Sequence, residues 1–485
     1  MMKTQTILRT ALVAGMVAGA GACADGLTEV NENPNAPTDV GAQFLLPQAI
    51  RSAAEQTFGA GLQLSHTAIF PQHGVQIQYP EEEQGNVRSD GMQGYWDNFY
   101  ANPLKDIQLV IEKGQEADRP NIEAVGGIWK NWVFHIVTDL WGDVPFSEAL
   151  RGEEGITTPV YDMQRDIYLG MIQSLEDAAG MLQVGGAGFG SGDILYNNDF
   201  EKWRRFANSL RMRLAMRMSE VDEATARTEF QAAYNAGPFQ SNADNAMLYW
   251  PGAPYENPLF ENWQGRDDHG VSETMVEMLK SLADPRLALY AEPASQDGEY
   301  RGLQNHVAQP ELSLAWYSRI GNLWRADGSA TPTPIMTYGE ILLLAAEAAN
   351  RGWIGGDPGA LYAEGIRASM NLYDAQAPEN APTDAAIDAY LAQPAIAYNP
   401  AGGLAQIQLQ QWLALFMNGS EAWSNWRRTG VPTLTIGPDL NIAGIAVRLP
   451  YPSNEQSLNA ANLQAALDRQ GGGLDLVTPL WWQGN

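Results

Sequence analysis

The stretch IEAVGGIWKNWVFHIVTDL, residues 122–140, decides the fold. Its apolar residues fall at Ile122, Val125, Ile128, Trp129, Trp132, Val133, Ile136, Val137 and Leu140. Steps of three, one and three put all of them on one side of a helix with 3.6 residues per turn, so the segment reads as a long amphipathic helix with a buried stripe. His135 falls off that stripe, where a neutral, hydrogen-bonded histidine is commoner than a metal ligand.

The same period recurs on both sides. TPTPIMTYGEILLLAAEAANRGW (331–353) offers Thr333 as N-cap, Pro334 at the first helical position and Gly352 as a stop. Further helices are expected near 41–57, 95–114, 160–182, 199–219, 271–282, 357–373 and 403–426. Strand-like alternation is scarce, LTIGPDLNIAGIAVRLPYP (434–452) being its best candidate. The class is therefore mainly α. Helix pairs with short connections around 95–140, 160–219 and 335–373 have the lengths of tetratricopeptide-like hairpins. Between them run Pro- and Gly-rich stretches, 240–270 and 291–334, that carry many aromatics, and loops this long are usually functional. GGAGFGSG (185–192) precedes no strand-to-helix turn and is expected to be a flexible loop, not a phosphate cradle.

Composition narrows the function. With 485 residues, 45% hydrophobic and 18% charged, the chain is globular. A net charge of −28 disfavours nucleic acid and the anionic face of a bilayer as partners. The N-terminus, MMKTQTILRTALVAGMVAGAGAC, sets Lys3 and Arg9 before an apolar run from Ala11 to Ala20 and ends at Cys23, the chain's one cysteine. That is the layout of a secretory signal over residues 1–22 with Cys23 at the cleavage point, ready for lipidation. Residues 23–485 then form a single domain. Losing Lys3 and Arg9 takes the charge from −28 to −30, and no internal disulfide remains to be made. No HExxH, Walker, Rossmann or GxSxG pattern occurs, so no metal, cofactor or catalytic nucleophile is expected.

Flat rings that lie on sugar C–H faces, with planar polar groups nearby, are the chemistry of glycan capture, and 15 Trp and 18 Tyr supply rings for both a core and a platform. The candidates are Tyr79 in QIQYPEEEQ (76–84), Trp96 and Asn98 in DGMQGYWDNFY (90–100), and Trp263, Arg266 and Asp267 in NPLFENWQGRDDHG (257–270). Trp316 and Tyr317 in AWYSRIGNLW (315–324) complete the set. For each, loop packing competes with ligand contact, and Arg266 beside Asp267 and Asp268 also suits a structural ion pair. EAWSNWRRTGVP (421–432) is read as structural: Trp423 continues an apolar face, and Arg427 and Arg428 stand at a helix end, where cations suit the dipole.

Eight segments in order carry a resemblance. They are LTEVNENPNAPTDV (27–40), DLWGDVPFSEAL (139–150), KWRRFANSLRMRLAMRMS (202–219), DPRLALY (284–290), PIMTYGEILLLAAEAANRGW (334–353), NGSEAWSNWRRTGVP (418–432), RLPYPSNEQSLNAAN (448–462) and PLWW (479–482). In these the chain resembles the SusD/RagB-like outer-membrane nutrient-binding lipoproteins, in their SusD-like branch. The resemblance implies tetratricopeptide-like helical hairpins in a superhelix with long irregular loops packed on one side. It also implies a non-catalytic, lipid-anchored receptor on the outer membrane that hands a glycan to a SusC-like TonB-dependent β-barrel transporter. Peptide or another nutrient as cargo, and a glycoside hydrolase, are the alternative readings.

Overall fold

The computed structural model describes residues 40–265, 267–308, 310–325, 329, 331–472 and 474–484. The signal segment 1–22, Cys23 and Arg266 lie outside the described residues. The chain folds as helices α1 (Ala42–Phe58), α2 (Ser89–Phe99), α3 (Lys105–Glu116), α4 (Pro120–Trp141), α5 (Gln164–Met181), α6 (Phe200–Arg217), α7 (Glu223–Asn235) and α8 (Pro258–Gly265). There follow α9 (Glu273–Ser281), α10 (Tyr338–Asn350), α11 (Pro358–Met370), α12 (Asp384–Leu391), α13 (Gly403–Ala414), α14 (Gly419–Thr429) and α15 (Ala460–Arg469). Neighbours in sequence pack as antiparallel hairpins from α3 through α7, and α10, α11 and α13 form a second stack that meets the first where α10 lies on α6. This is a mainly α, tetratricopeptide-like architecture.

The quoted stripe is the middle of it. α4 starts with Pro120 at its first turn and ends at Gly142, whose φ of +94° is open to glycine at little cost. Trp129 and Trp132 stack with centroids 4.5 Å apart, and Phe58 of α1 stacks on Trp132 at 6.4 Å. The helix is buried well beyond its stripe, so its polar residues need partners inside the protein. Asn131 Nδ2 donates to the Gly127 carbonyl and to Ser174 Oγ, both at 2.8 Å. His135 keeps Nδ1 on the Trp132 carbonyl at 2.6 Å, but its Nε2 lies 3.8 Å from Glu421 and 3.4 Å from Arg213, inside an ionic network.

That network is the least visible part of the core. Arg213 of α6 grips Glu340 of α10 with two bonds of 2.7 and 2.8 Å. Arg217 bonds Glu421 of α14 at 2.5 Å, and Arg428 grips Glu347 at 2.7 and 2.8 Å. All are buried. Such pairs add little net stability over apolar packing but are costly to half-remove, so they hold α6, α10 and α14 in one register. EAWSNWRRTGVP is thus structural, though Arg428 works as a buried ion pair and not as a cap. Arg427 reaches the carbonyls of Asp139 and Val447 at 2.7 and 2.9 Å.

Several expected boundaries move. Thr333 and Pro334 do not open a helix. Thr333–Met336 is strand β4, antiparallel to β2 (Ala246–Leu248), and Thr337 is the N-cap of α10. The helix expected over 403–426 is two, α13 and α14, broken by Met417 at φ +64°. The one expected from 95 begins at Ser89 and bulges over Tyr100–Leu104, where Pro103 lacks the amide a regular turn needs. No strand forms within 434–452. The glycine loop 185–192 is pinned and not free, with Asn198 bonding both the Phe189 amide and the Gly190 carbonyl at 2.6 Å. A second two-stranded pair, β1 (Gly74–Gln76) with β3 (His269–Val271), registers Val75 opposite Gly270 and carries the site described next.

Candidate functional site

β1 and β3 bring together two stretches distant in sequence. Beneath them Val75, Ile77, Leu303 and Tyr317 close a small apolar cluster, which fixes the pair as a floor. Beyond Ile77 the chain emerges, and Gln78 and Tyr79 are exposed. Tyr79 keeps 59% of its surface in solvent and sits at φ +55°, a left-handed backbone that a bulky residue seldom adopts.

Tyr79 stands on a groove of two lobes. The first, about 420 Å³, lies between the turn after α1 (Ala60, Gly61, Ser65), the β1 side (Gln76, Gln78, Glu81, Glu82) and the α8–β3 side (Asn262, Asp268, His269). The second, about 330 Å³, is formed by His66, Glu82, Arg88, Asp90, Met92 and Tyr95 among others. Glu82 lines both and so marks the waist. Gln76 Nε2 donates to its carboxylate at 2.9 Å and sets its position. Tyr95 reaches across from α2 to Gly61: a Cβ built there would lie 2.5 Å from the Tyr95 hydroxyl, so a larger residue would push the ring aside.

The loop's anchor is Glu83. It is buried, and its two oxygens accept from the Gln76 and His306 amides at 3.0 Å each. Burial pushes its carboxyl up to about 7, more than those amides pull it back. His66 holds Nδ1 3.0 Å from the Gly61 carbonyl, an oxygen that only accepts, so the proton is on Nδ1. Burial lowers the ring's pKa, against a smaller opposing pull from that bond and from Glu82, which leaves His66 neutral and Nε2 an acceptor. Nε2 has no hydrogen-bond partner among the described residues. The groove therefore offers one ring that is more than half exposed, the amides of Gln78 and Asn262, and several acceptor oxygens, which is the chemistry that hydroxyl-bearing rings call for.

The residues nominated from sequence divide. Tyr79 is on the groove. Trp263 lies next to it on α8, half-buried against the core, edge-on to His269 at 6.1 Å and with Arg325 at 5.8 Å over its ring. Asp267 is tied to Arg319 and Arg325, both at 2.9 Å. Asn98 is exposed on α2 and accepts from Asn102 at 3.2 Å, away from the groove lining. Trp316 is half-buried with Arg301 5.4 Å above its ring. Two nominations are corrected. Trp96 is only 5% exposed, enclosed by Tyr100, Trp141, Tyr161 and Tyr451 with centroids 5.2–6.1 Å away, and has no face for a ligand. Tyr317, 8% exposed, is part of the floor's apolar cluster. Sequence reasoning missed Glu82, Asn262, His66 and Tyr95. The PEEE run was a signal for the first, whereas His66 sits in an otherwise apolar segment that gives none.

The SusD-like family described as starch-binding and associating with the outer membrane matches residues 34–452. Among solved structures, a chitin-binding protein is 30% identical, with a TM-score of 0.82 over 92% of this chain and 100% of its own. A chitin-binding SusD homologue from Flavobacterium johnsoniae is 26% identical, with a TM-score of 0.75 over 92% of this chain and 98% of its own. A SusD homologue from Bacteroides fragilis is 25% identical, with a TM-score of 0.79 over 92% and 99%. No curated protein matches. The family match over most of the chain, joined to the shared helical architecture, places this protein in the SusD-like family.

Proposed function

We propose that this protein is a surface lipoprotein, tethered to the outer membrane through Cys23 after loss of residues 1–22, that captures an oligosaccharide and passes it uncleaved to a SusC-like TonB-dependent barrel. The observation that carries the reading is Tyr79, a ring 59% exposed on a left-handed backbone at the lip of a polar groove. Two relatives named as chitin-binding favour a glycan as cargo. A binding role is favoured over hydrolysis by the state of Glu83. A glycosidase needs a carboxyl of raised pKa open to the glycosidic oxygen. Glu83 has the raised pKa but is 2% exposed, with both oxygens engaged by backbone amides.

The test is calorimetric titration of the purified protein with chitin-, starch- and pectin-derived oligosaccharides and with peptides of matched length, alongside an assay for new reducing ends. Saturable binding of at least one oligosaccharide without cleavage is expected. Binding confined to peptides would make them the cargo, and release of reducing ends would restore the hydrolase. Separately, cells fed a labelled fatty acid should label the wild-type chain and not Cys23→Ser. Equal labelling of both would remove the anchor.

A further inference from the structure

The groove's charge narrows its ligand further, given that it binds glycan at all. Glu81, Glu82 and Asp268 line the first lobe and Glu82 and Asp90 the second. Among the described residues the one basic side chain lining either lobe is Arg88, and Asp90 occupies it through both Nε and Nη2. Acidity alone would mean only a solvated surface. The second lobe, however, also contains a buried acceptor. His66 is 4% exposed, its Nδ1 proton is committed to Gly61, and its Nε2 lone pair has no partner among the described residues. A buried acceptor left open is costly unless a donor arrives to fill it. Tyr95 stands edge-on to His66 with centroids 5.9 Å apart and lines the same lobe.

Acceptors at the waist and in the second lobe suit a ligand rich in N–H and O–H donors and repel one that carries carboxylates. Neutral sugars satisfy the first condition. A sugar bearing an ammonium satisfies it better, because a charged donor on a carboxylate is about twice as strong as a neutral one. We propose that the groove selects amine-bearing oligosaccharides, glucosamine units such as partial deacetylation of a chitin-like chain exposes, with Glu82 at the waist as the residue that reads the amine. Tyr79 stacks on a neighbouring ring in the first lobe, and the His66–Tyr95 lobe receives a donor of the next unit. The groove thereby discriminates by charge what the ring alone cannot, since any pyranose face stacks on a tyrosine.

The experiment compares hexamers of glucosamine, N-acetylglucosamine and galacturonate by calorimetry with the whole protein, at mildly acidic pH where the amines are charged. The glucosamine hexamer is expected to bind about tenfold more tightly than the acetylated one, from one carboxylate–ammonium contact near the surface, and the galacturonate hexamer not at all. High salt should shrink that ratio, because a contact open to solvent is screened, and so should alkaline pH. Glu82→Gln should bring it close to one while still binding the acetylated hexamer. Glu81→Gln, at an exposed neighbour, is the second variant should Glu82→Gln unfold, and it should lower the ratio by a smaller factor. Equal affinity for the amine and acetyl forms, a ratio that survives Glu82→Gln, or preference for galacturonate would overturn the amine preference while leaving glycan capture intact. Failure of every hexamer and of starch oligosaccharides to bind would instead remove the glycan reading itself.

Discussion

Replacing Tyr79 with alanine removes the ring that is most exposed at the groove. A fully covered tyrosine side chain buries on the order of 200 Å². With 59% of the residue exposed, about 120 Å² of that is still open to a ligand. A sugar covers one face, so about 60 Å² leaves water on binding, worth about 1.5 kcal/mol at ~25 cal/mol per Å². The dissociation constant should therefore rise about tenfold. Alanine keeps a Cβ, so the φ of +55° stays as demanding as before and the backbone has no new freedom to collapse into the groove. Unfolding stability should change by no more than about 0.5 kcal/mol, as for an exposed substitution. The assay is calorimetry of wild type and variant against the tightest oligosaccharide, with thermal unfolding in parallel. An affinity within about twofold of wild type, a change of about 0.4 kcal/mol or less where about 1.5 kcal/mol is expected, would refute the assignment of Tyr79 as the platform.

Three further outcomes follow from the packing and charge. Trp96→Ala opens a cavity among Trp141, Tyr161 and Tyr451 and should cost about 3–5 kcal/mol in urea unfolding, while the folded fraction keeps its glycan affinity. A loss of affinity without loss of stability would return Trp96 to the site. Arg428→Met strips Glu347 of a buried bidentate partner and should cost about 3–5 kcal/mol, with the further change Glu347→Leu recovering most of it. A single variant as stable as wild type would mean the pair holds nothing in place. Glu83 makes a pH signature: folded, its carboxyl keeps the proton up to about 7, whereas unfolded it loses it near 4.5, so between those values the folded state holds more protons and stability falls as pH rises. The loss should approach ~3 kcal/mol by neutral pH and be absent below the unfolded value. The difference in unfolding free energy between wild type and Glu83→Gln, followed across that window, measures it, and parallel curves would contradict it.

What the sequence disclosed depended on how far a local pattern was free of long-range partners. The α4 stripe was legible because nine apolar residues repeat with one period and nothing interrupts them. Thr333 and Pro334 misled because a good helix start lies beside a short strand whose partner, Ala246–Leu248, is more than eighty residues away. LTIGPDLNIAGIAVRLPYP alternates but finds no strand to pair with, and alternation alone makes no sheet. Helices α7, α8, α12 and α15 went unread, two of them only eight residues long with alanine or polar residues diluting the period. Trp96 was misjudged because its helix was started too late. Counted from Ser89, Met92, Trp96 and Phe99 fall four and three apart on the buried face. The exposure of Tyr79 was legible because a tyrosine between glutamines and a proline–glutamate run has no apolar period to join. The groove around it was not, since β1 and β3, nearly two hundred residues apart, create it.

The most direct test of the account is a crystal structure of the protein with the tightest-binding oligosaccharide of the calorimetric panel. It should place one pyranose face within about 4 Å of the Tyr79 ring, with the chain running past Glu82 toward His66 and Tyr95. A sugar bound elsewhere, with the Tyr79 ring still bare to solvent, would contradict it.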